Sequence, residues 1–532
     1  MLRSILGKLL GFKTDTRGIV LYLVALLMVP FVLLLGVAVD VGQLLIVKNQ
    51  LQSAIDAAAL DIGANPSWTQ AQAQTQAQNY VNANFSTQYS SATLTSLSVT
   101  ENNTASPPIV SITATATINT VFLPIVGTST LSTTVSTQVT IAQNYLEVVL
   151  VLDNTGSMAD MYGSMTGIQG LQTAATTLVN TLFANDPTGK YVKIGIVPFT
   201  AAVNIGTQYA NASWMDSAGA GTMTQENLNV SKDTAKGVGG LISLAGELKN
   251  ASWGGCVRQR AEPYDIEDVS PTASNLNTLF TPYVAPDEPD NGNFINSYLP
   301  DGSFPKGTTQ AQIQADVTKY QGGNVSSSQS LKQGPNFTCA VQPIIRLTND
   351  QTALLNEINA MTPYGATVIP AGLMWGWHLL SPNGPFADGV PYTNTSTIKA
   401  IILVTDGYND VNGGTNGFNK SVYNAYGYGS GPHLNILSVP NGTSEAQPEY
   451  NLDQKQINLC NNIKAVTDAS GNPGRILLYM IGFGNAVNDQ GLQLLQQCAT
   501  NSSTYFYNPT GDELITTFQN IAIGLSKLRI SQ

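Results

Sequence analysis

Asp153, Thr155 and Ser157 stand at alternate positions of a turn that ends the apolar run YLEVVLVLD (145–153). A second acidic turn, Thr405-Asp406-Gly407, ends another apolar run, IKAIILVTD (398–406). Between them a helix is expected to begin near Ala366-Thr367, with Gly365 offering a flexible approach. Together these residues offer carboxylate and hydroxyl oxygens and no sulfur. Hard oxygen donors suit Mg²⁺ first, and also Mn²⁺ or Ca²⁺, ahead of zinc. Two carboxylates with neutral hydroxyls would leave residual positive charge on a divalent cation. That charge could take an acidic group from another molecule as the missing ligand, so the expected chemistry is recognition. The alternative for the first turn is an ordinary Asn-Thr-Gly turn closing a strand.

Signs of catalysis are few. His378 and His433 are the only histidines, which limits general-base chemistry of the common kind. No G-x-S-x-G elbow, Walker loop or HExxH occurs. Asp-Asn-Thr-Gly is one residue off the Asp-Thr-Gly of aspartic proteases and has no second copy. No enzyme is expected, and an envelope hydrolase is the outsider. His378, after Trp377 in an apolar helical stretch, is expected to be a packed structural residue. The cluster Asp287, Glu288, Asp290, Asn291 lacks calcium-loop spacing and is expected to be a solvated turn.

The elements that must position the two acidic turns alternate in type. YVKIGIVPF (191–199) and RILLYMIGFG (475–484) are further apolar strands, with helices expected near 166–184, 351–361, 367–380, 453–468 and 488–498. Buried strands alternating with helices imply an α/β fold, a mainly parallel sheet with helices on both faces. In such sheets ligands sit beyond the carboxyl ends of the strands. Insertions at about 211–345 and 408–452 interrupt the pattern, as specificity loops or as surface decoration.

Ahead of this domain lies IVLYLVALLMVPFVLLLGVAV (19–39), an uncharged run. At about 1.5 Å of rise per residue it spans a bilayer core of roughly 30 Å. Arg3, Lys8, Lys13 and Arg17 precede it, which places the N-terminus in the cytoplasm and the bulk outside. The expected organisation is a cytoplasmic N-terminus (1–17), a transmembrane helix (18–40), a helix and β region (41–142) and the α/β domain (143–532). Leu44, Val47, Leu51, Ile55, Ala58 and Ile62 continue an apolar stripe beyond the span. Residues 93–100, 109–118 and 130–141 alternate apolar and polar as strands do, giving a small antiparallel sheet with a pilin-like outline.

Composition narrows the partners. Only 11% of residues are charged and the net charge is −11, with no basic run in the C-terminal part, which excludes nucleic acid. The four cysteines, Cys256, Cys339, Cys460 and Cys498, form no CxxC pair. Outside the cytosol disulfides are plausible. Chain order suggests Cys256 with Cys339 and Cys460 with Cys498, one of three pairings; four buried thiols are the alternative.

The spacing Asp153-x-Thr155-x-Ser157, with a later Thr and a later Thr-Asp-Gly, resembles the metal-ion-dependent adhesion site of von Willebrand factor A domains. Thr155 stands where Ser is commoner and keeps the hydroxyl. The resemblance implies direct coordination by Thr155 and Ser157, with Thr367 as third hydroxyl. Asp153 and Asp406 would act directly or through water. Residues 17–60, and the pieces WGGCVRQR (253–260), GATVIPAGLMWGWHLLSP (365–382), VTDGYND (404–410) and YNAYGYG (423–429), resemble TadG-like proteins of tight-adherence (Flp) pilus assembly systems. So do QINLCNNIKA (456–465), LLYMIGFG (477–484) and ELITTFQNIAIGLSKLRIS (513–531). Related pseudopilins carry a Glu soon after the cleaved Gly; here Gly18 precedes IVLYL, so retention is expected.

What the resemblance implies is a single-pass protein of the bacterial inner membrane with its C-terminal domain periplasmic or extracellular. Its partners would be pilus assembly or envelope proteins, or an external surface ligand offering a carboxylate. The alternative is a structural part of the assembly machine whose metal only stabilises the fold.

Overall fold

The computed structural model describes residues 17–64, 68–85, 92–102, 109–140, 144–186, 189–230, 239–292, 294–326, 333–339, 342–411, 417–440, 445–484, 489–508 and 510–530. Arg3, Lys8 and Lys13 lie outside them. The chain divides into two compact units, Met1–Gln143 with Ile530–Gln532, and Asn144–Arg529.

In the first unit α1 (Arg17–Ala64) runs unbroken through Pro30. Its apolar part exposes Leu26, Leu27, Met28, Phe31 and Leu34, and the helix is long and apolar enough to cross a membrane. Further along the character reverses: Val47, Leu51, Ile55, Ala58 and Ile62, at helical spacing, are buried. They share a core with Ala73, Ala77 and Val81 of α2 (Gln70–Asn84) and with Val110, Ile112 and Ala114 of an antiparallel sheet. The sheet runs in order β1 (Thr93–Asn102), β2 (Ile109–Asn119), β3 (Thr130–Thr140). Helix α2 begins in a capping box between Thr69 and Gln72, and its apolar stripe is the narrow Ala73, Ala77 and Val81 in an otherwise polar segment.

The second unit is an α/β domain built on a mainly parallel sheet. Its elements in chain order are β4 (Tyr145–Asp153), α3 (Gly167–Ala184), β5 (Val192–Phe199), β6 (Ile345–Thr348), α4 (Gln351–Ala360), α5 (Ile369–Leu380), β7 (Thr397–Thr405), α6 (Gln447–Lys464), β8 (Ile476–Phe483), α7 (Asp489–Cys498), β9 (Tyr505–Asn508) and α8 (Gly511–Ile530). The sheet order is β6-β5-β4-β7-β8-β9, parallel throughout except for the antiparallel edge strand β6. Strand order therefore reverses between β4 and β7, the crevice where open α/β sheets take their ligands.

Alternation along each strand divides the core. Val148, Leu150, Leu152, Ala400, Ile402 and Val404 face α3, α4 and α8. Val149, Val151, Ile401 and Leu403 face α5, α6 and α7. Every residue of α5 is buried. A Cβ at Gly372 or Gly376 would come within 2.6 Å of Phe199 or Val151, so these glycines allow the helix to lie against the sheet.

The insertions are not surface decoration. Phe280, Val284 and Tyr320 extend the core on the α5 face, and Tyr283, Tyr423, Tyr426 and Tyr428 form a buried cluster of their own. Of the cluster at Asp287, Asp290 and Asn291 lie exposed in a turn, as expected, but the two carboxylates ahead of them do not. Asp287 and Glu288 are buried, and Asp287 accepts from the Tyr298 and Leu299 amides while pairing with Lys319 at 2.6 Å. Burial, partly offset by Lys319, pushes its carboxyl up to about 6. Partners distant in sequence satisfy these carboxylates, which spacing within the cluster does not reveal.

Candidate metal centre

Strand β4 ends at Asp153 and β7 at Thr405, so neighbouring parallel strands deliver both acidic turns to one edge. The turns are joined by hydrogen bonds. Asp153 Oδ1 accepts from the Thr155 amide at 2.8 Å, and its Oδ2 accepts from Thr405 Oγ1 at 2.6 Å. Thr155 Oγ1 and Ser157 Oγ lie 3.1 Å apart, and Ser157 Oγ donates to Asp406 Oδ1 at 2.7 Å. Tyr162 donates to Asp406 Oδ2 at 3.1 Å.

Thr367 arrives on a separate segment. Its main chain exchanges two bonds with Asp410, at 2.9 and 3.0 Å, and its hydroxyl oxygen lies 4.0 Å from where a Cβ on Gly407 would stand. The segment is tied to the first turn where Gly365 O accepts from Gly156 N at 3.0 Å and Asn154 O accepts from Tyr364 N at 2.8 Å. Gly365 has φ +96, a conformation that favours glycine. Asn409, just past the second turn, accepts from the Ile369 amide at 3.0 Å and so caps α5. Asp153, Thr155, Ser157 and Asp406 are thus in one hydrogen-bonded chain with Thr367 beside it.

The electrostatics are those of an uncompensated anion pair. Burial raises the Asp153 carboxyl, against the hydrogen bonds from Thr155 and Thr405. Burial and then the Asp153 charge push Asp406 up to about 7. Burial and the Asp406 charge raise the Tyr162 hydroxyl. Among the described residues no Lys, Arg or His is paired with either aspartate. Nor do three or more His, Cys, Asp or Glu side chains group to hold a metal, so an ion here would rest on two carboxylates and hydroxyls. The donor set fits a hard divalent cation, whose charge would relieve the repulsion. Asp153, Thr155 and Asp406 are buried, whereas Gly156 is exposed and Ser157 half-buried, so the opening lies at the first turn.

Both disulfides are formed, Cys256 with Cys339 between two parts of the first insertion and Cys460 with Cys498 between α6 and α7. Tyr162 and Asn409 are the polar partners that sequence reasoning missed, and Thr405, named there only as part of the second turn, proves to bond Asp153. Thr405 and Asn409 flank Asp406 in VTDGYND, whereas nothing local marks Tyr162.

Comparison with known proteins finds a family likeness within the first unit. The family profile "Putative Flp pilus-assembly TadE/G-like" matches residues 18–65. The segment similar to that family thus precedes the α/β domain in the chain. Curated proteins show no significant match. Among solved structures, the pilus adhesin SpaC from Lactobacillus rhamnosus GG is 14% identical at a TM-score of 0.32, over 82% of this chain and 34% of SpaC. This chain therefore spans about a third of that adhesin's length. The vWF domain of the type V pili tip protein Mfa5 from Porphyromonas gingivalis is 12% identical at a TM-score of 0.32, over 73% of this chain and 97% of that one. The mussel byssus protein PTMP1, solved with a zinc-occupied MIDAS motif, is 10% identical at a TM-score of 0.26, over 73% of this chain and 46% of that one.

Proposed function

We propose that this protein is a membrane-anchored envelope component of a tight-adherence pilus system whose A-like domain grips an acidic partner group through one divalent cation. The observation that carries the reading is Ser157, whose hydroxyl links Thr155 of the first turn to Asp406 of the second. Thr155, Ser157 and Thr367 would hold the ion through their hydroxyls, and Asp153 and Asp406 directly or through water. Once bound, the ion supplies a positive centre for a carboxylate. Mg²⁺ suits the oxygen set best, with Mn²⁺ and Ca²⁺ as substitutes. The partner is a pilus assembly protein, another envelope protein or an external surface that offers the carboxylate.

The reading is of binding, not catalysis. His378 is buried against Phe280 and Trp375, and His433 lies between Glu226 and Glu262, so each is engaged elsewhere. The inner membrane, with the N-terminus cytoplasmic, suits the basic residues before α1, and disulfides suit the oxidising side.

A second reading is that the cation mainly stabilises the fold, and the buried Asp153–Asp406 repulsion favours it. One experiment separates them. Full-length protein in detergent is melted with EDTA or rising Mg²⁺, and its retention on carboxylate-coated and amide-coated beads is measured. Wild type should melt higher with Mg²⁺ and bind carboxylate only with the cation, and Asp153→Ala should do neither. Stabilisation without cation-dependent retention would leave only the structural role. No response to any divalent cation would remove the site.

A further inference from the structure

Residues 121–126, VFLPIV, connect β2 to β3 and are conspicuously apolar for a loop. Val121, Ile125 and Val126 are 62%, 71% and 58% exposed. The loop does not project into open space on the sheet's far side; it is fastened to α1 where the apolar run ends. Phe122 packs so closely on Gly36 that a Cβ there would come within 2.5 Å of it. Asp40, the first charge after that run, is fully buried. Its Oδ1 accepts from Val121 N at 2.9 Å, and its Oδ2 from Phe122 N at 2.9 Å and Leu123 N at 2.8 Å.

Further donors in and next to the loop are also accounted for. Pro124 has no N–H, Ile125 N donates to Phe122 O at 3.2 Å, and Gly127 N donates to Pro124 O at 3.0 Å. Apolar side chains outside and satisfied donors inside are what a segment needs to leave water, because unpaired amides are costly in lipid. Depth agrees: Gly36 lies four residues before Asp40, about 6 Å along the helix. That is within the roughly 5–10 Å to which interfacial apolar segments bury.

We propose that residues 121–126 are a second membrane contact, seated among the lipids of the leaflet at the C-terminal end of the apolar run of α1. Asp40 positions the loop at that depth, and the occupant of its exposed face is the bilayer. Continuity with the span argues for lipid over a protein partner. The inference rests on α1 crossing the membrane, so the test reports on both.

Because the native cysteines are all in disulfides, a single added cysteine can carry a nitroxide label. Ile125→Cys, Val126→Cys, Phe31→Cys and Ser132→Cys are labelled in the full-length chain, which is reconstituted into phosphatidylcholine–phosphatidylglycerol vesicles. Collision rates with oxygen and with a water-soluble nickel chelate are then measured. Positions 125 and 126 should favour oxygen over the chelate, though less than the deeper position 31, while position 132 favours the chelate. If 125 and 126 instead match 132 while 31 stays lipidic, the loop proposal fails and the anchor stands. Low collision with both reagents at 125 and 126 would mean a protein neighbour and would also overturn it. A water-exposed position 31 would overturn anchor and loop together.

Discussion

At the scale of single residues, the titratable groups that matter are those whose partners come from elsewhere in the chain. His433, from the second insertion, places Nε2 2.5 Å from Glu226 and Nδ1 3.0 Å from Glu262, both in the first insertion. Arg258 pairs with Glu226 at 2.6 Å, and Lys455 of α6 with Glu262 at 2.5 Å and Asp265 at 2.8 Å. Burial works against charge on the imidazole, but its bonds to Glu226 and Glu262 outweigh it and hold the pKa above 6.5. Against its own burial, Glu262 is drawn down to about 2 by His433 and Lys455. A raised imidazole stabilises fully below its unfolded value and loses that contribution as pH rises through the folded value. The lowered carboxyl contributes above 4.5 and loses its contribution as pH falls toward about 2. The stability difference between wild type and His433→Gln should therefore be greatest between these limits, on the order of 2 kcal/mol. It should shrink above neutrality, as denaturant melts across pH would show. A difference independent of pH would mean that the imidazole is not charged in the folded state.

At the scale of elements, β4 and β7 carry the site at one end and a buried ion pair at the other. Glu147 and Lys399 are register partners on the two strands, 2.5 Å apart and buried. Lys399 also donates to Leu380 O at 2.8 Å, so the pair fastens the end of α5 to the strand pair. Burial lowers the Lys399 pKa despite the neighbouring carboxylate, so ionisation survives only with its partner. Glu147→Ala should cost about 3–5 kcal/mol, whereas Glu147→Met with Lys399→Met should recover most of that loss. Equal losses in the single and double variants, by denaturant titration, would show that the charges do not act as a pair. Strand β4 was legible from YLEVVLVLD, but the lone Glu within it gave no hint of its partner. That partner is placed only when the parallel neighbour is chosen.

At the scale of the whole molecule, a helix long and apolar enough to cross a membrane precedes an α/β domain, and the proposed function makes that helix an anchor with the domain outside. The orientation can be tested directly. Protease added to spheroplasts should remove the A-like domain from the membrane-bound chain, and a tag placed ahead of Met1 should stay protected. The reverse pattern would put the domain in the cytoplasm and remove the oxidising compartment that its disulfides suit.

Local pattern alone determined much of this. Continuous apolar runs marked four of the parallel strands, because a strand buried on both faces has no polar alternation to offer. Period-two alternation marked β1 to β3, and the two acidic turns were visible because each directly follows such a run. Tertiary structure decided what depends on neighbours far along the chain. It brought Ser157 to Asp406, buried Asp287 against Lys319, added Tyr162 to the site and fastened residues 121–126 to Asp40. The physical reason is common to all four. Side-chain spacing reports the face on which a residue lies, whereas a buried polar group takes its partner from whichever segment the sheet order and the helix packing bring beside it.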